Sequence, residues 1–266
     1  MIYRTDYHTH TLFSDGHSSP EKYISSALKK NISELGFSDH LTLTDKQQDW
    51  SISLDNFERY IEEILDLKSK TRDLKIKLGV EIDYLEGKER EIEKYINSYP
   101  FDYVIGSVHY MDGPVDDSPD YYKNRDLGEL FRKYFDLVAA AAASGLFDII
   151  GHLDLVRIYD YHPGSDLEHI YRELATKIKK HDLVIELNTN GINKPLKKFY
   201  PDPSFLHIFR EEGVGICVNS DAHYPQHVGQ YFDQAYSLLI KAGYTEMVTF
   251  SKKEKIFRKI TDCPGP

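Results

Sequence analysis

Short β-rich runs alternate with helix-length amphipathic runs, and the pair repeats seven times along the 266 residues. The strand candidates are Ile2–Tyr7, Ser33–Ser38, Ile76–Ile82, Tyr103–Val108, Phe147–Leu153, Leu183–Asn188 and Val214–Asn219. Helix candidates lie near Pro20–Lys30, Leu54–Lys70, Lys88–Ser98, Asp126–Ser144, Asp166–His181, Pro203–Glu212 and Gln226–Ala242. Such alternation leaves few folds open, because parallel strands need crossovers and the crossover helices cover the sheet. Several strand runs are almost wholly apolar, as burial on both faces requires. Pro20 and Pro203 suit first helical turns, and Gly145 and Gly213 suit helix ends.

Polar residues decide between an open sheet and a closed barrel. Six of the seven strand candidates carry a His or an acid at the C-terminal end, whereas an open sheet gathers its functional groups at one crevice. The expectation is therefore an α/β fold, a distorted seven-stranded (β/α)7 TIM-like barrel forming a single domain over residues 1–266. No linker, repeat or low-complexity segment divides it. The loops Tyr110–Arg125 and Asn190–Pro201 are expected to overhang the site.

Acidic residues outnumber basic ones, 43 to 33, for a net charge of −10, with no long Lys/Arg block. Such a surface repels polyanions, which argues against a nucleic-acid partner. No run has the apolar length to cross a bilayer, and the segment MIYRTDYHTH has no signal-peptide character, so the expected location is cytoplasmic with no membrane partner. Two cysteines, Cys217 and Cys263, are too few for a disulfide framework and receive no role. Oligomeric state is not read from the sequence.

His8-Thr9-His10 follows the first strand candidate. Residues i and i+2 of an extended segment point the same way, so both imidazoles can address one ion. The pair gains weight from accumulation: Asp15, His40, Glu81, His109, His152, Asp221 and His223 also stand near strand ends. Imidazole and carboxylate without thiolate suit Zn, Fe or Mn. Nine groups exceed the needs of two ions and fit three divalent ions if one carboxylate bridges. Glu81 and Asp221 at the ends of apolar strands would be costly to bury unpaired, and a cation is their natural partner. His162, His169, His181, His207 and His227 are read as surface residues, and Asp39, Asp83 and Asp154 as acceptors that orient imidazoles.

Three divalent ions carry about +6 against about −3 from Asp15, Glu81 and Asp221, a balance that a hydroxide and a phosphomonoester dianion would complete. Arg157, beyond a ligand-bearing strand, is a bidentate phosphate binder, assisted by Lys194, Lys197 and Ser14. The proton donor to the leaving alkoxide stays open between metal-bound water, Asp154 and His17.

The same segments resemble the PHP (polymerase and histidinol phosphatase) family: His8-Thr9-His10, Ser38-Asp39-His40, Gly106-Ser107-Val108-His109 and Asp221-Ala222-His223 are similar to its motifs. The resemblance implies one ion on His8, His10, Glu81 and Asp221, a second on bridging Glu81, His109 and His152, and a third on Asp15, His40 and His223. His17 is an alternative to Asp15. Gly79–Tyr84, Phe101–His109 and Ile185–Gly191, followed by Tyr200-Pro201, resemble the histidinol-phosphate group. The implied activity is hydrolysis of L-histidinol phosphate to L-histidinol and phosphate in histidine biosynthesis, with a metal-bridging hydroxide as nucleophile. The rival readings are a PHP phosphodiesterase or exonuclease on nucleotides and a non-catalytic metal- or phosphate-binding module.

Overall fold

The computed structural model describes residues 3–116, 118–164 and 167–260. The predicted positions Ile2, Asp166 and Cys263 lie outside them. In chain order the strands are β1 (Thr5–Asp6), β2 (Glu34–Phe37), β3 (His40–Leu41), β4 (Lys75–Leu78), β5 (Glu81–Asp83), β6 (Ile105–Ser107), β7 (Ile149–Ile150), β8 (Val184–Asn188), β9 (Gly215–Asn219), β10 (Glu246–Ser251) and β11 (Glu254–Lys259). The α-helices are α1 (Pro20–Lys29), α2 (Leu54–Lys70), α3 (Glu89–Ser98), α4 (Leu127–Ala143), α5 (Leu167–Lys180), α6 (Leu206–Glu211) and α7 (Phe232–Lys241). Each predicted helix is present, and α2 shows why: Phe57, Tyr60, Ile61 and Ile64 recur at helical spacing and are buried.

Parallel pairing runs β1-β2-β4 and then β3-β5-β6-β7-β8-β9. Backbone bonds carry the first set into the second, from Gly79 N to Phe37 O (2.8 Å) and from Glu81 N to Asp39 O (3.3 Å). The ring closes where Thr9 bridges Ala222 in parallel, with His10 N donating to Ala222 O at 3.0 Å. The result is a distorted seven-position α/β barrel. Its strand count differs from the seven continuous strands expected, because two positions are each split. At Ser38-Asp39 side chains take over part of the ladder toward the segment after β1: Ser38 Oγ and Asp39 Oδ1 accept from Thr9 N and Thr11 N. At Gly79-Val80 the backbone passes against the Tyr103 ring.

The β10–β11 hairpin is absent from the sequence expectation. Its two-residue turn, Lys252-Lys253, has both residues at positive φ (51° and 65°), a conformation usually flagged by Asn or Gly. The hairpin stops the end at which strands begin: Val248 and Phe250 join Tyr7, Tyr103, Ile105, Ile149, Val184 and Cys217 in an apolar cluster separate from the main core. Tyr103 is central there, its hydroxyl donating to Tyr7 O at 2.5 Å. A Cβ at Gly79 would lie 2.3 Å from the Tyr103 ring. Gly79→Ala is therefore expected to destabilise by about 1–3 kcal/mol through overpacking, read as a lower midpoint in urea denaturation. An unchanged midpoint would mean that Tyr103 shifts freely.

No helix among the described residues is long and apolar enough to cross a membrane.

Candidate metal centre

The end of the ring where strands finish gathers the histidines. His8 and His10 follow β1, His40 opens β3, Glu81 opens β5, His109 follows β6, His152 follows β7, and Asp221 and His223 follow β9. Register brings them together: Glu81 lies opposite His40 on one side and Ile105 on the other. Asp221 is turned into the site by a left-handed backbone (φ 49°), a strained conformation for a residue with a Cβ. Buried Asp6 holds that turn, accepting from Ser220 N at 2.9 Å and Gly229 N at 2.8 Å.

Glu81 is the hub. Its Oε2 lies 3.0 Å from His8 Nε2, 2.8 Å from His40 Nδ1 and 3.6 Å from His10 Nε2. Its Oε1 lies 3.0 Å from His152 Nε2 and 3.9 Å from His109 Nε2. Asp221 Oδ1 reaches His10 Nε2 at 3.2 Å and His8 Nε2 at 3.8 Å, while Asp15 meets His223 Nε2 at 3.1 Å and His40 Nε2 at 3.7 Å. Four overlapping donor groups result: His8, His10 and Asp221; His8, Glu81 and His152; His40, Glu81 and His109; and His10, Asp15, His40 and His223. All nine sequence-selected groups thus converge on one region.

The donors fit cations. His8 Nε2, both ring nitrogens of His10, Asp15 Oδ1 and Glu81 Oε2 are buried without a hydrogen-bond partner, which is costly unless something cationic accepts their lone pairs. Charge points the same way. Burial alone would raise the Glu81 carboxyl, but His8 and His40 beside it hold it well below the carboxylate range. Asp221 is likewise lowered, burial being outweighed by His8 and His10. Burial pulls His40 down, yet Glu81 and Asp15 raise it to about 9; burial pulls His109 down, yet Asp83 raises it to about 10. His10 falls to about 3 through burial and the neighbouring His40 and His223. Without metal, the carboxylates hold protons on His8, His40, His109 and His223, places that cations would take.

Supporting side chains orient these rings. Asp83 Oδ1 accepts from His109 Nδ1 at 2.6 Å, in the orienting role expected of it. Asp39 does otherwise: it takes Thr11 N (2.6 Å) and Ser14 Oγ (2.7 Å), fixing the turn that carries Asp15. Glu186, unassigned from sequence, is buried beneath His8 and accepts from its Nδ1 at 2.9 Å.

A cavity of about 540 Å³ opens over the cluster, lined among others by Trp50, Tyr110, Asp116, Lys194 and Tyr200. Lys194 is the one sequence-selected phosphate binder in that lining. Arg157 is 2% exposed and lies outside it, with Asp154 Oδ2 at 2.6 Å and Asp202 Oδ2 at 2.5 Å occupying its terminal nitrogens. Asp154 is buried in the same ion pair rather than beside an imidazole. Ser14 is drawn onto Asp39, exposed His17 stacks on Tyr224 at 4.0 Å, and Lys197 is exposed at a left-handed turn (φ 55°). None of these five lines the cavity. Spacing along the chain cannot tell a residue facing the rim from one packed behind it.

The PHP domain pattern matches residues 6–190. The chain belongs to the PHP family. The probable histidinol-phosphatase of Deinococcus radiodurans is 35% identical over 94% of this PHP chain and 97% of its own length. The histidinol-phosphatase of Lactococcus lactis is 30% identical over 93% and 94%. The crystal structure of the L. lactis histidinol phosphate phosphatase, complexed with zinc, L-histidinol and phosphate, superposes with a TM-score of 0.81 at 26% identity, covering 96% of this chain and all of that one. In this PHP chain the sequence reading assigned no role to the cavity residues Trp50 and Asp116, and Tyr200 entered only through the resemblance of its Tyr-Pro step, without a role of its own. A lone tryptophan and a Tyr-Pro step were visible as residues but carried no periodic signal.

Proposed function

We propose that this chain hydrolyses L-histidinol phosphate to L-histidinol and phosphate, using three divalent ions of the zinc, iron or manganese class. The observation that carries the reading is the donor cluster around Glu81, with buried, unpartnered ligand atoms, whose outer members His40, His109, His152, Asp221 and His223 line a cavity sized for a small phosphomonoester. The likeness to histidinol-phosphatases over nearly the whole length supports the substrate.

In this reading His8, His10, Glu81 and Asp221 hold one ion, Glu81, His109 and His152 a second, and Asp15, His40 and His223 a third. When bound, such ions supply Lewis acidity, making water nucleophilic near neutral pH and drawing charge from phosphoryl oxygens. The remaining work falls to the chain. Lys194 reaches the cavity with a cation for the phosphate. Tyr200 lines the same wall with its hydroxyl buried and unpartnered, a donor for a phosphoryl oxygen. Burial, with Asp154 nearby, keeps that phenol protonated well above its ordinary range. The Arg157–Asp154 pair packs behind this wall, where Asp154 Oδ2 also accepts from Asp202 N at 2.8 Å and so holds the segment after Tyr200.

The test is phosphate release, after metal analysis, from L-histidinol phosphate beside nucleoside monophosphates and an oligonucleotide. L-Histidinol phosphate is expected to lead in kcat/KM by at least about 10²-fold, the scale at which a site built for a substrate's polar groups rejects analogues. Comparable rates on all would defeat the substrate reading and favour a broad phosphoesterase. Metal binding with no turnover would favour the non-catalytic module.

A further inference from the structure

One wall of the cavity has no part in the reaction derived above. Trp50 stands edge-on to His40 (centroids 5.1 Å apart, 88°) and near His109 (5.9 Å), so it borders the cluster directly. Tyr110 stacks on it at 6.0 Å and 22°. Asp116 lines the same cavity, and its carboxylate has no hydrogen bond or ion pair among the described residues. It is near enough for its charge to be felt at His109. Its backbone is fixed, since Asp116 O accepts from Tyr159 Oη at 2.8 Å. A carboxylate without a partner among the described residues, in one cavity with two aromatic rings, is a receptor for a cation attached to a flat apolar ring.

We propose that Asp116 and the Trp50–Tyr110 wall form the subsite that selects the leaving alcohol. Asp116 takes a primary ammonium one carbon from the ester-bearing carbon, and Trp50 and Tyr110 take an aromatic or heteroaromatic ring. The proposal rests on the phosphomonoesterase reading above and narrows it to phosphate esters of cationic, ring-bearing amino alcohols. Asp116 acts on binding, not on the bond that breaks.

The discriminating variant is Asp116→Asn, which keeps shape and removes charge. Two substrates are compared: L-histidinol phosphate and its analogue lacking the amine, 3-(imidazol-4-yl)propyl phosphate. The wild-type preference, taken as the ratio of kcat/KM values, is expected to collapse about 10- to 100-fold in the variant, the range of one charge-assisted hydrogen bond. The ratio cancels any loss of metal, because both substrates meet the same centre. A second readout needs no turnover: Trp50 is the only tryptophan, so its emission reports on the cavity. L-Histidinol is expected to change that emission, with a dissociation constant weakened by a similar factor in Asp116→Asn. An unchanged ratio together with unchanged L-histidinol binding overturns the subsite. No turnover of either phosphate ester, with L-histidinol still bound through Asp116, defeats the phosphomonoesterase reading and leaves the subsite standing.

Discussion

Replacing Glu81 with glutamine is expected to lower kcat for phosphate release on the order of 10³-fold, with at least one metal ion per chain lost on mass-spectrometric analysis. The size follows from position. Among the described residues no other carboxylate touches so many of the imidazoles: Oε2 faces His8, His10 and His40, and Oε1 faces His109 and His152. A glutamine keeps the volume and one acceptor but removes the charge that two ions would share. The Ser107 hydroxyl, which donates to Glu81 Oε1 at 2.5 Å, can keep the side chain in place, so folding is expected to survive. The control is His207→Ala. His207 is half-buried, and among the described residues its side chain bonds only its own turn, through Nδ1 to Ser204 O at 2.9 Å, so turnover is expected within about twofold of wild type, as for changes away from a working site generally. Equal losses in the two variants would place the chemistry elsewhere.

The ligand candidates were legible in the sequence because barrel geometry converts an address along the chain into an address in space. Any residue just past a parallel strand reaches the same rim, so His109 and His152 needed only their strand ends to be placed. The contacts behind the rim obey no such rule. Arg157 has the residue type and address of a phosphate binder, yet two carboxylates on different segments, Asp154 and Asp202, hold it in the wall. Asp202 lies 45 residues further on, and nothing local announces the pairing. The split strands escaped for a related reason. Ile76–Ile82 reads as one apolar run, and only the Tyr103 ring against Gly79, a contact between distant segments, shows where it breaks. Lys252-Lys253 hid the hairpin because positive φ was given to residues that seldom adopt it.

Glu186 was overlooked as a working residue although it is the one acid in an otherwise apolar stretch of strand, Val184-Ile185-Glu186-Leu187. A buried carboxylate needs partners, and this one has several. Oε2 accepts from His8 Nδ1 at 2.9 Å and Asn219 Nδ2 at 2.7 Å, while Oε1 accepts from His152 N and Asn188 Nδ2. By holding the proton on Nδ1, Glu186 leaves His8 Nε2 as the nitrogen that would give its lone pair to a cation seated beside Glu81 and Asp221. It also fixes the backbone of His152, so one side chain positions two candidate ligands from different strands. Glu186→Gln is expected to weaken metal affinity about 10- to 100-fold in chelator competition, the range for losing an outer partner of a ligating histidine. Because the cluster itself stays intact, activity should return toward wild type as metal is raised, a rescue that Glu81→Gln would not show. If Glu186→Gln lowers only the unfolding midpoint, with metal affinity unchanged, the carboxylate serves the barrel and not the ions.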